Sequence, residues 1–434
     1  MGGAVGGGSP SVAAPAVARS APPPAGAGSA ALRRQLARAE RRRRLRAFGL
    51  VAPLLLFLLV TFALPIAKML WRSVQDPEVG ATLPETAASL RRWDGKDLPG
   101  DDAYAALAAD LARAREAGNL AMAAQRLNYD IPGFRSLLFT TARRLGTADA
   151  GTGPPTRESF ARIDPRWNDR ATWAAIRRAS GPLTDFYLLG AVDRHRDADG
   201  AIVRVRNDQA IYVDVLVRTF TIGAAVTVLC LALGFPVAHL LATLPPRIGN
   251  PLMILVLLPF WTSLLVRTAA WVVLLQEQGL VNNALAALGV IDHPLKLIYN
   301  RVGVFIAMTH VLLPFMILPL YSVMRGIPPV YMRAAASLGA RPAEAFVRVY
   351  LPQTLPGVGA GCLLVFILAI GYYITPALIG GPADQMISYF VAFYTTDTAN
   401  WGLAAALGVV LLSATLVLYA LYHRLVGIEK LRLG

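Results

Sequence analysis

Six apolar runs organise the chain: residues 47–70, 219–244, 248–276, 302–324, 351–374 and 402–422. Each approaches or exceeds the roughly 20 residues that a helix needs to cross the hydrocarbon of a bilayer. Charge enters them only at Lys68, near the end of the first, and at Arg267, within the third. The pattern predicts six transmembrane helices. Between the first two runs the rhythm changes. In DDAYAALAADLARAREAGNLAMAAQRLNYDI, residues 101–131, apolar positions recur every three and four residues, the period of amphipathic helices with one buried face. With Trp93, Tyr129, Phe134, Trp167, Trp173 and Phe186 available for a core, residues 71–210 are expected to form a small helical insert.

Composition agrees with this division: over 434 residues, mean hydropathy is +0.48 and only 16% of residues are charged, too apolar for an ordinary soluble protein. The first run is longer than a signal-peptide core and is followed by KMLWRSVQDPE, without a convincing small-residue cleavage site, so it is expected to remain as an anchor. Residues 1–30 are Gly, Ala, Pro and Ser with little apolar bulk, which predicts a disordered tail. Eight arginines follow between Arg33 and Arg46. Directly before a span, such a cluster sets topology and attracts anionic lipid, and no nucleic-acid partner is expected.

Orientation follows from the same bias. With the N-terminus inside, residues 1–46 contribute +8, Arg247 +1, residues 325–350 +3 and the tail from His423 +2, together +14 of the formal +15. Both termini are therefore expected in the cytoplasm, with the insert outside the membrane, where it would act as a cap or a docking surface. Cys230 and Cys362 lie within spans as small packing residues and define neither a disulfide framework nor a metal site.

Several activities lack their residues. The only Gly-Lys pair, Gly95-Lys96, is followed by Asp97, so the chain has no phosphate-binding loop of its own. No nucleophile elbow and no metal-ligand spacing occur, and no catalytic residue is expected. Energy for any transport must come from a partner or from an ion gradient.

One polar stretch stands apart: YMRAAASLGARPAEAFVRVYLPQTLPGV, residues 331–358, between the fourth and fifth runs. Pro328 and Pro329 set a helix start, VYMRAAASL is strongly helix-forming, and Gly339 stands where a helix ends on a left-handed residue. A second helix restarts at Pro342 and re-enters the membrane past Leu351, Pro352 and Pro356. The alanines 334–336 leave room for another surface to approach.

These residues resemble the EAA loop of binding-protein-dependent ABC importer permeases. Ala334, Ala335, Gly339, Leu351 and Pro352 match at the family's spacing, with Leu338, Ala340, Phe346 and Pro356-Gly357 as relatives have them; Arg333 stands where the family has glutamate. The resemblance extends over about residues 210–425. PFWTSLLVRTAAW (259–271), GLVNNAL (279–285) and ITPALIGGP (374–382) are similar to the spermidine/putrescine branch. Tyr372 and Tyr373 occupy a place where polyamine relatives often carry an acid.

The resemblance implies an all-α membrane protein of the ABC importer type I permease fold, in a bacterial inner (plasma) membrane. Its parts would be the cytoplasmic tail 1–46, the first helix 47–70, the extracytoplasmic insert 71–210, a five-helix core 211–425 with the EAA loop at 328–352, and the tail 426–434. It implies two ATP-binding cassette subunits, a second permease expected to be a different chain, and a soluble solute-binding protein. This chain itself binds no cofactor, ATP and magnesium being used by the partner. Arg333, Ala334, Ala335, Gly339, Ala340, Leu351 and Pro352 would form the ATPase-coupling loop.

Inside the membrane, Arg267 is either a pathway residue or a cation near the outer end, at a break in the third segment, that snorkels or pairs with a residue such as Glu277. His310 is read first as a hydrogen-bonding link between helices. With Tyr372, Tyr373 and Thr375 they complete the candidate translocation path. The favoured solute is a polyamine such as spermidine or putrescine; the alternatives are another small organic solute, or an ion-coupled secondary carrier, which would more usually show inverted repeats and intramembrane acids.

Overall fold

The computed structural model describes residues 48–146 and 155–426, with residues 40, 41 and 43. The tails expected over residues 1–46 and 426–434 lie almost wholly outside these residues. The chain divides into two units, Met1–Ala67 and Lys68–Gly434. Helix α1, Phe48–Trp71, is long and apolar enough to cross a membrane. It widens to a π turn over Leu59–Ala63, where Leu64 N–H bonds to Leu59 O. Pro65 follows, and a proline ring would otherwise meet the carbonyl four residues earlier.

The insert comprises α2 (Glu78–Thr82), α3 (Pro84–Arg92), α4 (Asp101–Glu116), α5 (Leu120–Asp130), α6 (Phe134–Leu145), α7 (Arg157–Ile163), α8 (Arg170–Ala179) and α9 (Phe186–Gly190). Its core is aromatic. Tyr104, Phe134, Phe160, Trp167 and Trp173 are fully buried, in mostly edge-to-face pairs 4.6–6.4 Å apart. Both indole N–H groups are satisfied, Trp167 by Thr141 Oγ1 at 2.9 Å and Trp173 by Trp167 O at 3.0 Å. Phe134, Trp167 and Trp173 thus serve as the sequence predicts, and Trp93 packs at the core's edge. Tyr129 and Phe186 do not join that core. Tyr129 reaches the carbonyl of Thr398, ahead of the last long helix, and Phe186 stacks under the Arg126 guanidinium. The insert is also not wholly helical, because β1 (Arg194–Arg196) pairs antiparallel with β2 (Ile202–Arg204).

Asp193, at φ +55°, joins this hairpin to the next helix, α10 (Tyr212–Thr243). Its carboxylate accepts from the backbone N–H of Ile211, Tyr212 and Val213 at 2.7–3.0 Å, three donors that a helix start leaves open. The remaining elements are α11 (Pro246–Leu257), α12 (Leu264–Leu274), α13 (Leu280–Ala287), α14 (Arg301–Arg325), α15 (Val330–Ser337), α16 (Pro342–Ile370), α17 (Ile374–Ile379), α18 (Ile387–Thr396) and α19 (Trp401–Val426). Helices α10, α14 and α16 pack around Ile222, Val226, Cys230, Met308, Leu312 and Val365, all fully buried. Cys230 is a packing residue between α10 and α14, its thiol 3.6 Å from Thr309 O.

Among the described residues, five helices (α1, α10, α14, α16 and α19) are long and apolar enough to span a membrane. The third apolar run is not one straight helix. Pro246–Trp261 and Leu264–Leu274 meet at 97°, so the described residues hold six spans only if this bent pair is one. The break lies where Pro259 opens a tight 3-10 turn and Ser263 caps the new helix, its Oγ accepting from Val266 N–H at 3.1 Å. The fifth run also ends early, at Ile370, before the unwound segment 371–373.

Candidate functional site

The polar stretch after α14 folds as a helix, a glycine turn and a second helix. Helix α15 starts directly after Pro328 and Pro329 and ends at Gly339, whose φ is +87°. A Cβ built there would meet nothing within 4 Å, so the requirement for glycine is the backbone conformation itself. Ala340 N–H returns to Ala335 O at 3.1 Å and closes the turn. Ala335 is buried, whereas Arg333, Ala334 and Ala336 are exposed, and Leu338 is 89% exposed. Arg333 has no ion-pair partner among the described residues; Glu344 pairs with Arg348 at 3.1 Å within α16. This face is small, partly apolar and uncovered.

Helix α16 contains a second π turn, Phe346–Tyr350, closed by Leu351 N–H to Phe346 O. Pro352 follows at the same spacing as Pro65 in α1, for the same steric reason. The wider turn stacks the rings of Phe346 and Tyr350 at 5.4 Å and sets them against α10. His239 Nδ1 lies 3.1 Å from the Tyr350 hydroxyl, and the Phe235 and Phe346 rings meet edge to face at 6.4 Å. Leu351 and Pro352 therefore continue a helix that is already gripped by α10.

The intramembrane candidates gather where the third run breaks and α16 unwinds. Arg267 stands in the first turn of α12. Its Nε and Nη1 are shut off from solvent and meet no acceptor among the described residues, and it forms no ion pair with Glu277. Arg267 lies one helical turn before Trp271, the residue through which α12 meets His310. His310, on α14, accepts from Trp271 Nε1 at 3.1 Å, which leaves its Nε2 to carry the proton. Thr375 is joined to α12 through a 3.1 Å hydrogen bond with Thr268. Tyr372 lends its carbonyl to the Ser388 hydroxyl, while the ring of Tyr373 faces Tyr389 on α18 at 6.3 Å. Sequence reasoning missed Thr268, Trp271 and α18. The first two lie inside PFWTSLLVRTAAW, and α18, ISYFVAFYTT, is too short and too mixed to read as a span.

Residues 220–427 match the family model described as "Binding-protein-dependent transport system inner membrane component". The spermidine/putrescine transport system permease protein PotB of Escherichia coli (strain K12) is 34% identical over 214 residues, covering 49% of this chain and 78% of its own. The molybdenum transport system permease protein ModB of Mycobacterium bovis is 35% identical over 151 residues, 35% of this chain and 55% of that protein. A solved bacterial alginate ABC transporter, in complex with an alginate pentasaccharide-bound periplasmic protein, is 20% identical with a TM-score of 0.42, covering 49% of this chain and 77% of that one. The family match begins after the insert. From the residues of α10 onward, the chain belongs to the family of inner membrane components of binding-protein-dependent transport systems.

Proposed function

We propose that this chain is the permease subunit of an ATP-driven importer, forming the membrane path for a small organic solute, with polyamines such as spermidine and putrescine favoured. The observation that carries the reading is the stretch from Arg333 to Pro352: an exposed small-residue helix, a glycine turn at φ +87° and a second helix rooted against α10, in a chain that shares 34% identity with a spermidine/putrescine permease. The sequence carries no Gly-rich phosphate loop ending in Gly-Lys-Ser/Thr. Two separate ATPase subunits, using ATP and magnesium, would dock on residues 328–352, and Arg333, Ala334, Ala335, Gly339 and Ala340 would face them, with Leu351 and Pro352 passing the motion into α16. A second permease, a different chain, would complete the path, and a solute-binding protein would deliver cargo from outside.

The proposed topology has six spans, counting the bent pair as one, with both termini and the coupling loop in the cytoplasm and residues 71–210 outside. The charge asymmetry supports it, +14 of +15 falling on the inner side. A second reading, import of a solute other than a polyamine, is favoured by Arg267, a cation whose Nε and Nη1 are buried without a partner among the described residues. The deciding experiment isolates the complex from its native host, identifies the co-purifying ATPase, permease and binding protein, and measures ATP-dependent uptake of labelled spermidine in vesicles. Uptake by the chain alone, driven by an ion gradient without ATP, would overturn the importer reading.

A further inference from the structure

Helix α18 carries a stripe that the family resemblance did not single out. Tyr389, Phe393 and Asp397 follow one another at intervals of four residues and so lie along one side of the helix. The Tyr389 and Phe393 rings are nearly parallel, 14° apart, with centroids 6.3 Å from each other, and Tyr373 continues the series at another 6.3 Å from Tyr389. All three rings retain exposed surface, Tyr373 as much as 43%. Neither the Tyr373 nor the Tyr389 hydroxyl makes a hydrogen bond among the described residues. Asp397, exposed at the end of the stripe, has no ion-pair partner among them.

We infer that Asp397, Phe393, Tyr389 and Tyr373 form a rail for an organic polycation, leading from the outer mouth to the unwound segment 371–373. This rests on the polyamine reading and names its site. The chemistry suits a chain of alternating ammonium and methylene groups. Ring faces attract ammonium and are apolar enough for the methylenes. Spacing fits as well. In an extended chain, ammoniums separated by roughly three or four methylenes lie about 5–6 Å apart, close to the interval between successive rings. A series of weak sites also releases its cargo, as conduction requires. The exposed carboxylate at the mouth raises the local concentration of cations before they enter. The rail thus supplies cation recognition where Tyr372 and Tyr373 leave the path without an acid.

The test uses the complete complex in proteoliposomes, with labelled spermidine and putrescine as probes and uptake normalised to complex recovered. Tyr389→Leu and Phe393→Leu keep apolar bulk and remove the ring face; each is expected to lower uptake about fivefold, the order of one cation–π contact. Tyr389→Phe and Phe393→Tyr keep the face and should stay within about twofold of wild type. Asp397→Asn should slow uptake at low solute concentration, with the deficit shrinking as salt rises. Leu variants equal to wild type, or ring-keeping variants as impaired as the Leu ones, would overturn the rail. Wild-type complex that takes up neither amine would end the polyamine reading and the rail together, whereas wild-type uptake with silent Leu variants would end the rail alone.

Discussion

At the scale of single residues, two positions are set by opposite constraints. Gly339 has open space around it and a backbone that L side chains adopt at a cost of about 1–2 kcal/mol. Gly339→Asp adds backbone strain and a negative charge at the proposed docking surface and is expected to lower uptake strongly while membrane insertion stays normal, which fractionation and a transport assay on the same vesicles would check. Arg333, exposed and unpaired among the described residues, stands at the same surface, and Arg333→Glu is expected to reduce ATPase co-purification. Asp76 is constrained by its surroundings instead. It is fully buried; its Oδ2 takes a hydrogen bond from Arg126 Nε at 2.8 Å and lies 2.7 Å from Arg126 Nη2 in an ion pair, and its Oδ1 takes no hydrogen bond. Burial pushes its carboxyl up to about 7, against the pull of Arg126, and neighbouring Glu78 adds to the rise. The folded chain then holds a proton that the unfolded chain releases near pH 3.8, so stability falls as pH rises from about 4 through 7 and levels off above. Thermal unfolding of the solubilised chain, followed by tryptophan fluorescence, should give a higher midpoint at pH 5.5 than at pH 8. Asp76→Asn should flatten that dependence; an unchanged slope would remove Asp76 as its source.

At the scale of elements, the π turn in α16 sets which helix the proposed docking loop packs against. It places Phe346 and Tyr350 on His239 and Phe235, so the proposed docking loop grips α10 and not only its own helix. Phe346→Ala removes the stacked ring from this joint. It is expected to reduce the stimulation of ATPase by loaded binding protein, while Tyr350→Phe, which loses one neutral hydrogen bond worth about 1 kcal/mol, should cost less. Equal stimulation in all three proteins would show that the joint carries no coupling. Much at this scale was legible beforehand. Runs that are apolar all round fixed α1, α10, α14, α16 and α19 to within a few residues, apart from the longer starts of α10 and α16, and proline and glycine punctuation marked the turn at Gly339. What escaped was set by capping and by tertiary contact. Hydropathy cannot distinguish a straight third span from two helices meeting at 97°, because the break depends on Ser263 and a 3-10 turn within an equally apolar run. The gathering of Arg267, His310 and Tyr372 joins residues far apart in sequence, and no local pattern announces it.

At the scale of the molecule, the insert is held by the spans that follow it and does not hang from a free linker. Asp193 caps α10, and on the other side Gln125 and Tyr129 reach Thr398 O, just before α19. Tyr187 lies flat against Gly402 at the start of α19. A Cβ there would fall 2.4–2.6 Å from its ring atoms, closer than carbon atoms pack. Glycine at 402 is thus needed for close approach, the reverse of Gly339. It follows that Gly402→Val should displace the Tyr187 ring and loosen α9 from α19, raising amide exchange in residues 186–190 and 399–404 with little change in the aromatic core around Trp167. The substitution also lies within a helix, so exchange alone does not separate packing from local helix effects. The double variant Tyr187→Ala with Gly402→Val does: removing the ring vacates the space that the valine needs, and the two effects should be strongly non-additive, with the pair less perturbed than Gly402→Val alone. Additive perturbation would mean that the insert is held by the Asp193 cap and the Thr398 contacts, with Tyr187 contributing only contact area.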